Sequence, residues 1–211
     1  AIHSMRTVSV DSPQRMKTAA AKLPQAPVIK VKVDGGSDME RIDAVHQSVP
    51  DAALVVDANE AWSPQQLEAW LPQLPELGVV LLEQPLAAGD DTAIESIERV
   101  VPICADESFH DRRSFSEVVS RYDVVNIKLD KTGGLSEALL CVQEAKHFGL
   151  QIMVGCMVST SLAIEPALLL ASAAEYIDLD GPLLLERDRD GALHDRDAGL
   201  LRPSGSIWGA P

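Results

Sequence analysis

Short apolar runs recur along this chain, each closing on a charged residue, and the closing residues keep a near-constant spacing. VIKVKV (28–33) carries Lys32, ALVVDAN (53–59) Asp57, VVLLEQP (79–85) Glu83, PICADES (102–108) Asp106 and VVNIKLD (124–130) Lys128. The steps between them run from 22 to 26 residues, the length of a strand, a crossover helix and two short loops. TVSV (7–10), QIMVGCM (151–157) and YIDLD (176–180) complete a set of eight. Their apolar residues do not alternate with polar ones, which is the pattern of parallel strands covered on both faces.

Amphipathic segments fill the gaps. Asp11, Ser12 and Pro13 open a helix to about Leu23, Ser37-x-x-Glu40 has capping-box spacing for a helix to about Val49, and Ser63-Pro64 starts one to about Leu74. Further helices are expected near 91–100, 114–121, 134–147 and 161–174, with Gly133-Gly134 read as a plain turn rather than an anion-binding loop. Trp62 and Trp70 are expected to pack a helix onto the sheet. Eight strands with seven helices make an α/β chain, best accommodated as a parallel (β/α)7β TIM-type barrel over residues 1–185, followed by a turn-rich C-terminal tail over 186–211. An open doubly wound sheet would want a glycine-rich phosphate loop after the first strand, and residues 10–13 read VDSP.

Composition narrows the partners. A net charge of −14 opposes nucleic acid and anionic membranes, and no apolar run reaches the ~20 residues of a bilayer span. Cys104, Cys141 and Cys156 form no CxxC pair and read as buried thiols of a reducing compartment, so a cytoplasmic protein is the expectation. The five histidines show no ligand spacing.

The strand ends carry the chemistry. In a barrel of this type the carboxyl ends of the strands form one face, so Asp57, Glu83 and Asp106 from three consecutive strands converge there. Three carboxylates at one mouth repel unless a hard cation neutralises them, and an all-oxygen set favours Mg²⁺. Lys32 and Lys128 come from the second and sixth strands, opposite each other in a ring of eight. Lys30 shares the face of Lys32, one layer deeper, and a like charge there lowers the pKa of Lys32. Asp130 is placed to orient Lys128. A metal holding a substrate carboxylate between two lysine bases supports 1,1-proton transfer at the α-carbon through an enediolate, which is racemisation or epimerisation. With one active lysine the same site supports elimination or cycloisomerisation, and either lysine could instead simply neutralise a carboxylate.

VIKVKVD, VVDANEAW, LLEQPL, ICADES, VNIKLDKTGGL, IMVGCMVSTSL and DLDGPLLL together, in this order, resemble the muconate-lactonising subgroup of the enolase superfamily, and within it the dipeptide epimerases of the Ala-Glu type. The resemblance covers roughly residues 7–185. It implies Asp57, Glu83 and Asp106 as Mg²⁺ ligands, Lys32 and Lys128 as the acid/base pair, and Lys30 as the helper lysine of a KxK motif. It also implies that Asp178 and Asp180 bind the α-ammonium group of a dipeptide, with Asn59 and Glu107 supporting the first ring of contacts. Ser159 stands where the close relatives are expected to have glycine. The family places an N-terminal α+β capping domain ahead of the barrel, whereas this chain opens on the first barrel strand, so the expectation is a barrel lacking its cap. A homo-oligomer is the family's expectation for assembly. The alternatives are an o-succinylbenzoate synthase or N-succinylamino acid racemase, for which an acid pair facing a succinyl group is unfavourable, and a non-catalytic metal-binding barrel.

Overall fold

The computed structural model describes residues 2–23, 25–195 and 200–201. Eight parallel strands run β1 (Arg6–Val8), β2 (Val28–Lys32), β3 (Ala53–Asp57), β4 (Val79–Glu83), β5 (Ile103–Ala105), β6 (Val124–Lys128), β7 (Gln151–Gly155) and β8 (Tyr176–Asp178). Their order in the sheet is their order in the chain. Each βα step therefore lands beside the strand it left, and the sheet curls into the expected barrel.

Alternation along each strand sorts the apolar residues into two layers. Leu54 and Val56 face out, with Ile29, Val31, Leu82, Val125 and Val154, into the layer beneath the helices. Val55 faces in, with Met5, Leu81, Cys104, Val124 and Met153, and these six plug the lower barrel. The ring is nearly closed between β8 and β1. There the Met5 N–H donates to the Ile177 carbonyl at 2.8 Å, the Leu179 N–H to Ser4 Oγ at 2.8 Å and the Thr7 N–H to Asp180 Oδ2 at 2.7 Å.

Helices α1 (Pro13–Ala20), α2 (Asp38–Ser48), α3 (Pro64–Trp70), α4 (Phe115–Val118), α5 (Leu129–Thr132), α6 (Leu135–Phe148) and α7 (Ser161–Ile164) lie outside the strands. Ser63 and Gln66 close a reciprocal capping box on α3, and Trp62 meets Trp70 edge-on at 5.2 Å. Gly133 and Gly134, with φ of +75° and +131°, make the turn between α5 and α6.

Several expectations are corrected. Ser37 makes no side-chain cap on α2; the Asp38 carboxylate takes the local N–H of Gly35 and the indole N–H of Trp62, both at 2.8 Å. The helix expected over 91–100 is one 3₁₀ stretch, Thr92–Ser96. Asp91, which precedes it and makes no side-chain cap, is committed to Ser108, Tyr122 and Arg121, and Arg99 ties the following residues to Asp123. The helix expected over 161–174 tightens to 3₁₀ over Glu165–Ala173, because Pro166 removes an N–H from the α pattern. The same cause ends α3 early, where Pro72 and Pro75 fall in the 3₁₀ helix Leu71–Leu77.

Of the tail expected over 186–211, residues 196–199 and 202–211 lie outside the described residues. The described part docks back: Asp188 accepts from both the N–H and Oγ of Ser161, and Ile2–His3, Leu200–Leu201 and His194–Asp195 form a small antiparallel sheet. Among the described residues Cys104, Cys141 and Cys156 are free thiols, and no helix is long and apolar enough to cross a membrane.

Candidate active site

At the carboxyl end of the barrel, apolar inward positions give way to charge. Lys32, Asp57, Glu83 and Lys128 are the last residues of β2, β3, β4 and β6, while Asp106 sits just past β5 and Asp180 just past β8. Parallel register sets Lys32 opposite Asp57 and Asp57 opposite Glu83. A cavity of about 350 Å³ opens here, and Lys30, Lys32, Asp57, Asp106, Lys128 and Asp178 all reach it. Glu83 lies behind its wall, fully buried. A hollow of similar size adjoins the cavity, sharing Glu107 and His110 with it, and is lined by Asp111 and Arg113, which neutralise each other.

Lys30 has the most acidic surroundings. Its Nζ lies 2.7 Å from Asp178 Oδ2, 2.7 Å from Glu83 Oε2 and 2.9 Å from Asp57 Oδ2. Burial alone would favour the neutral amine, but these carboxylates, Asp178 foremost, push its pKa well above the usual value. The sequence expectation of a bare positive charge beside Lys32 is thus corrected, since three acids neutralise Lys30. Lys32, half-exposed, donates to Asp57 Oδ2 at 2.9 Å and to Asn59 Oδ1 at 2.5 Å. Asn59 in turn donates to Glu107 at 3.2 Å, so the two expected supporting residues join one chain of contacts.

Across the ring, Lys128 donates to Asp106 Oδ2 at 2.6 Å. Asp130 does not orient it; that side chain is exposed on α5, and the carboxylate that accepts from Lys128 is that of Asp106. Lys131 does the work instead, donating to Asp106 Oδ1 at 2.6 Å and to the Asp106 carbonyl at 2.7 Å.

The acids respond to this crowding. Burial and the Asp57 charge raise Glu83 to about 8, against the opposing pull of Lys30. Burial is overcome at Asp57 by Lys30 and Lys32, and at Asp106 by Lys131 and Lys128, so both carboxyls are held below the usual range. Burial and Asp178 raise Asp180 to about 6. Asp178 pairs with Lys30 through Oδ2 and keeps Oδ1 buried without a hydrogen-bond partner.

The donor chemistry fits a hard divalent cation: carboxylate oxygens arrive from three consecutive strand ends. Glu83 Oε1 accepts from Asn126 at 2.9 Å. Its Oε2 is close to Lys30 but off the hydrogen-bond direction, and has no hydrogen-bond partner. Among the described residues no three such side chains stand close enough to share one ion as they are, because Lys30 lies between Asp57 and Glu83 while Lys128 and Lys131 hold Asp106.

A barrel closing on this set of strand-end residues matches one family model, Enolase C-terminal domain-like, over residues 14–205. The chain belongs to that family. It is 43% identical to an N-acetyl-D-glutamate racemase of Pseudoalteromonas sp over 203 residues, 96% of this chain and 64% of the relative. It is 47% identical to an L-Ala-D/L-Glu epimerase of Escherichia coli (strain K12) over 190 residues, 89% of this chain and 59% of the relative. The chain thus spans about three-fifths of the length of these relatives, which by name are isomerases.

Among solved structures of the enolase family, one from Agrobacterium tumefaciens with homology to dipeptide epimerases, holding sodium and L-Ala-L-Glu, superposes with a TM-score of 0.93 at 42% identity. That match covers 99% of this chain and 64% of the other. A dipeptide epimerase from Enterococcus faecalis V583, complexed with Mg and L-Leu-L-Tyr, superposes with a TM-score of 0.88 at 32% identity, covering 95% and 60%.

On this enolase-like barrel, sequence reasoning missed three residues at the mouth. Lys131 was findable, since three residues after Lys128 is nearly one helical turn. Asn126, two before Lys128 on the same strand face, was findable by alternation; its amide lies over Gly155, where a Cβ would come within 2.5 Å of Oδ1. Gln84 carries no such signal.

Proposed function

We propose that this chain is the catalytic barrel of a Mg²⁺-dependent epimerase that inverts the α-carbon of a dipeptide by 1,1-proton transfer. One observation carries the reading: Lys32 and Lys128 end strands four apart in an eight-strand ring, and both line one cavity. A substrate α-carbon between them can lose its proton to one amine and regain one from the other on the opposite face. Asn59 aims Lys32, and Asp106, held on its far oxygen by Lys131, aims Lys128. Asp57, Glu83 and Asp106 would hold the Mg²⁺, which when bound supplies a Lewis acid that favours loss of the α-proton. The relatives named as epimerases, and the solved neighbour with Mg and a dipeptide, support this class. The buried, unpartnered Asp178 Oδ1 suits a substrate ammonium group.

A second reading is favoured by a specific contact. Asp178 Oδ2 is taken by Lys30 and Asp180 Oδ2 by Thr7, which leaves less carboxylate for an ammonium group. An N-acylated glutamate carries no ammonium, and one relative is named as an N-acetyl-D-glutamate racemase.

One experiment separates the readings. The chain is incubated in D₂O with Mg²⁺ and either L-Ala-L-Glu or N-acetyl-D-glutamate, and mass spectrometry follows deuterium at the α-carbon. Uptake into the dipeptide, abolished by EDTA, is the expected result. Uptake into the N-acyl amino acid alone would replace the first reading with the second, and uptake into neither would sink both.

A further inference from the structure

Gln84 follows Glu83 directly and is fully buried, yet its backbone takes the left-handed region, with φ of +35°. Among the described residues, the other non-glycine residues with positive φ are Asn59 and Glu60, at +41° and +67°. All three meet at one place, where the Glu60 N–H donates to the Gln84 carbonyl at 2.8 Å. Such conformations are costly for a non-glycine residue and persist only where surroundings over-determine them.

The Gln84 side chain explains what its conformation achieves. Its Oε1 accepts the N–H of Asp106 at 2.9 Å and of Ser108 at 3.1 Å, which saturates both lone pairs. Its Nε2 faces the Leu86 carbonyl at 2.8 Å, Ser108 Oγ at 2.9 Å and Tyr122 OH at 3.0 Å. Both hydroxyls give their protons to Asp91 Oδ2 at 2.6 Å, so their oxygens are free to accept. That fixes which end of the amide is which, because a reversed amide would set N–H against N–H.

We propose that Gln84 is a positioning residue that sets the separation of the Glu83 and Asp106 carboxylates. It is peptide-bonded to one and hydrogen-bonded to the backbone of the other, so one side chain joins the ends of β4 and β5. Asp91, Tyr122 and Ser108 anchor that amide from behind. Glutamate could not replace it, having no N–H for Leu86, and an apolar residue would orphan the buried N–H of Asp106 and the part-buried N–H of Ser108. The proposal rests on the reading of Glu83 and Asp106 as Mg²⁺ ligands.

The test is calorimetric titration of the whole chain with Mg²⁺ alone, beside thermal unfolding without metal. Gln84→Met should weaken Mg²⁺ binding by about 10–100-fold, the usual effect of losing a residue that orients metal ligands. Ile42→Val, a truncation in the buried core on α2 that belongs to none of these hydrogen bonds, should lower the melting temperature and leave Mg²⁺ affinity unchanged. A Gln84→Met chain that is less stable but binds Mg²⁺ like the wild type would overturn the proposal. Should that variant fail to fold, Gln84→Asn, which tolerates the left-handed backbone but is one methylene too short, takes its place in the same titration with the same expectation. Hydrogen exchange on the wild type decides the clamp without any variant. The Asp106 and Ser108 amides should be as protected as those of β5, and exchange at loop rates overturns the clamp. A wild-type chain that binds no Mg²⁺ yet protects both amides would remove the metal reading and leave the clamp standing.

Discussion

Val55 and Asp57 stand two residues apart on β3 and both point into the barrel, as do Leu81 and Glu83 on β4 and Val124 and Asn126 on β6. The lower member of each pair joins an apolar plug that needs only the right volume. The upper member is as deeply buried but polar, and an oxygen left there without a partner, as Glu83 Oε2 and Asn126 Oδ1 are, costs free energy. At the upper level five carboxyls, Asp57, Glu83, Asp106, Asp178 and Asp180, face four ammonium groups, Lys30, Lys32, Lys128 and Lys131. Burial, together with this excess of acid, drives Glu83 to about 8 and Asp180 to about 6. Packing makes the lower half tolerant; unbalanced charge makes the upper half exacting, and suited to a cation.

The widest gap between the halves should appear in turnover. Lys128→Met is expected to cut epimerisation by about 10²–10⁴-fold, the usual contribution of a positioned acid/base group. Its fold should hold, because Asp106 keeps Lys131. Chiral chromatography of the products and a melting curve check both halves of that statement, and full turnover would end the two-base reading. Next in size, Lys30→Met leaves Asp57, Glu83 and Asp178 without their shared ammonium group. Breaking a buried pair typically costs about 3–5 kcal/mol, here read by urea unfolding at pH 7. An unchanged midpoint would mean that charge balance does not hold the upper half together.

In the plug, Leu81→Ala should cost about 2–5 kcal/mol, whereas the near-isosteric Leu81→Met should cost under about 1.5 kcal/mol. Equal losses from the two would contradict the picture of a volume-governed lower half. The smallest expected effect concerns pH. Asp180 has its pKa raised from 3.8 to about 6, so its favourable contribution is complete below pH 3.8 and is lost as pH rises through 6. Asp180→Asn removes that loss while keeping an acceptor for Thr7. Relative to wild type, the variant should gain up to about 3 kcal/mol between pH 4 and pH 7 in urea unfolding. A parallel shift at both pH values would show that Asp180 does not titrate in this window.

Much of the barrel was legible because strand alternation and βα spacing are local properties. Lys32, Asp57, Glu83 and Lys128 fall at strand ends as their spacing requires, and Trp62 packs against Trp70 as expected. The misses have physical causes of the opposite kind. The helix expected over 91–100 depends on whether Asp91 caps it or joins Ser108 and Tyr122, which only the folded neighbours of β5 decide. Lys30 read as a like charge beside Lys32 because Asp178 is distant in sequence, yet the two side chains meet at 2.7 Å.

By itself the sequence determined the strand count, the parallel order and which charged residues close the strands, since each follows from the period of one βα unit and the two-residue alternation of a strand. Only the tertiary structure decided which charges pair. Closing the ring brings β8 back to β1 and β2, seats Lys30 among acids from three strands and turns Asp180 toward Thr7. Pairing energies depend on distances of a few ångströms between residues far apart in the chain, and no local pattern encodes those distances.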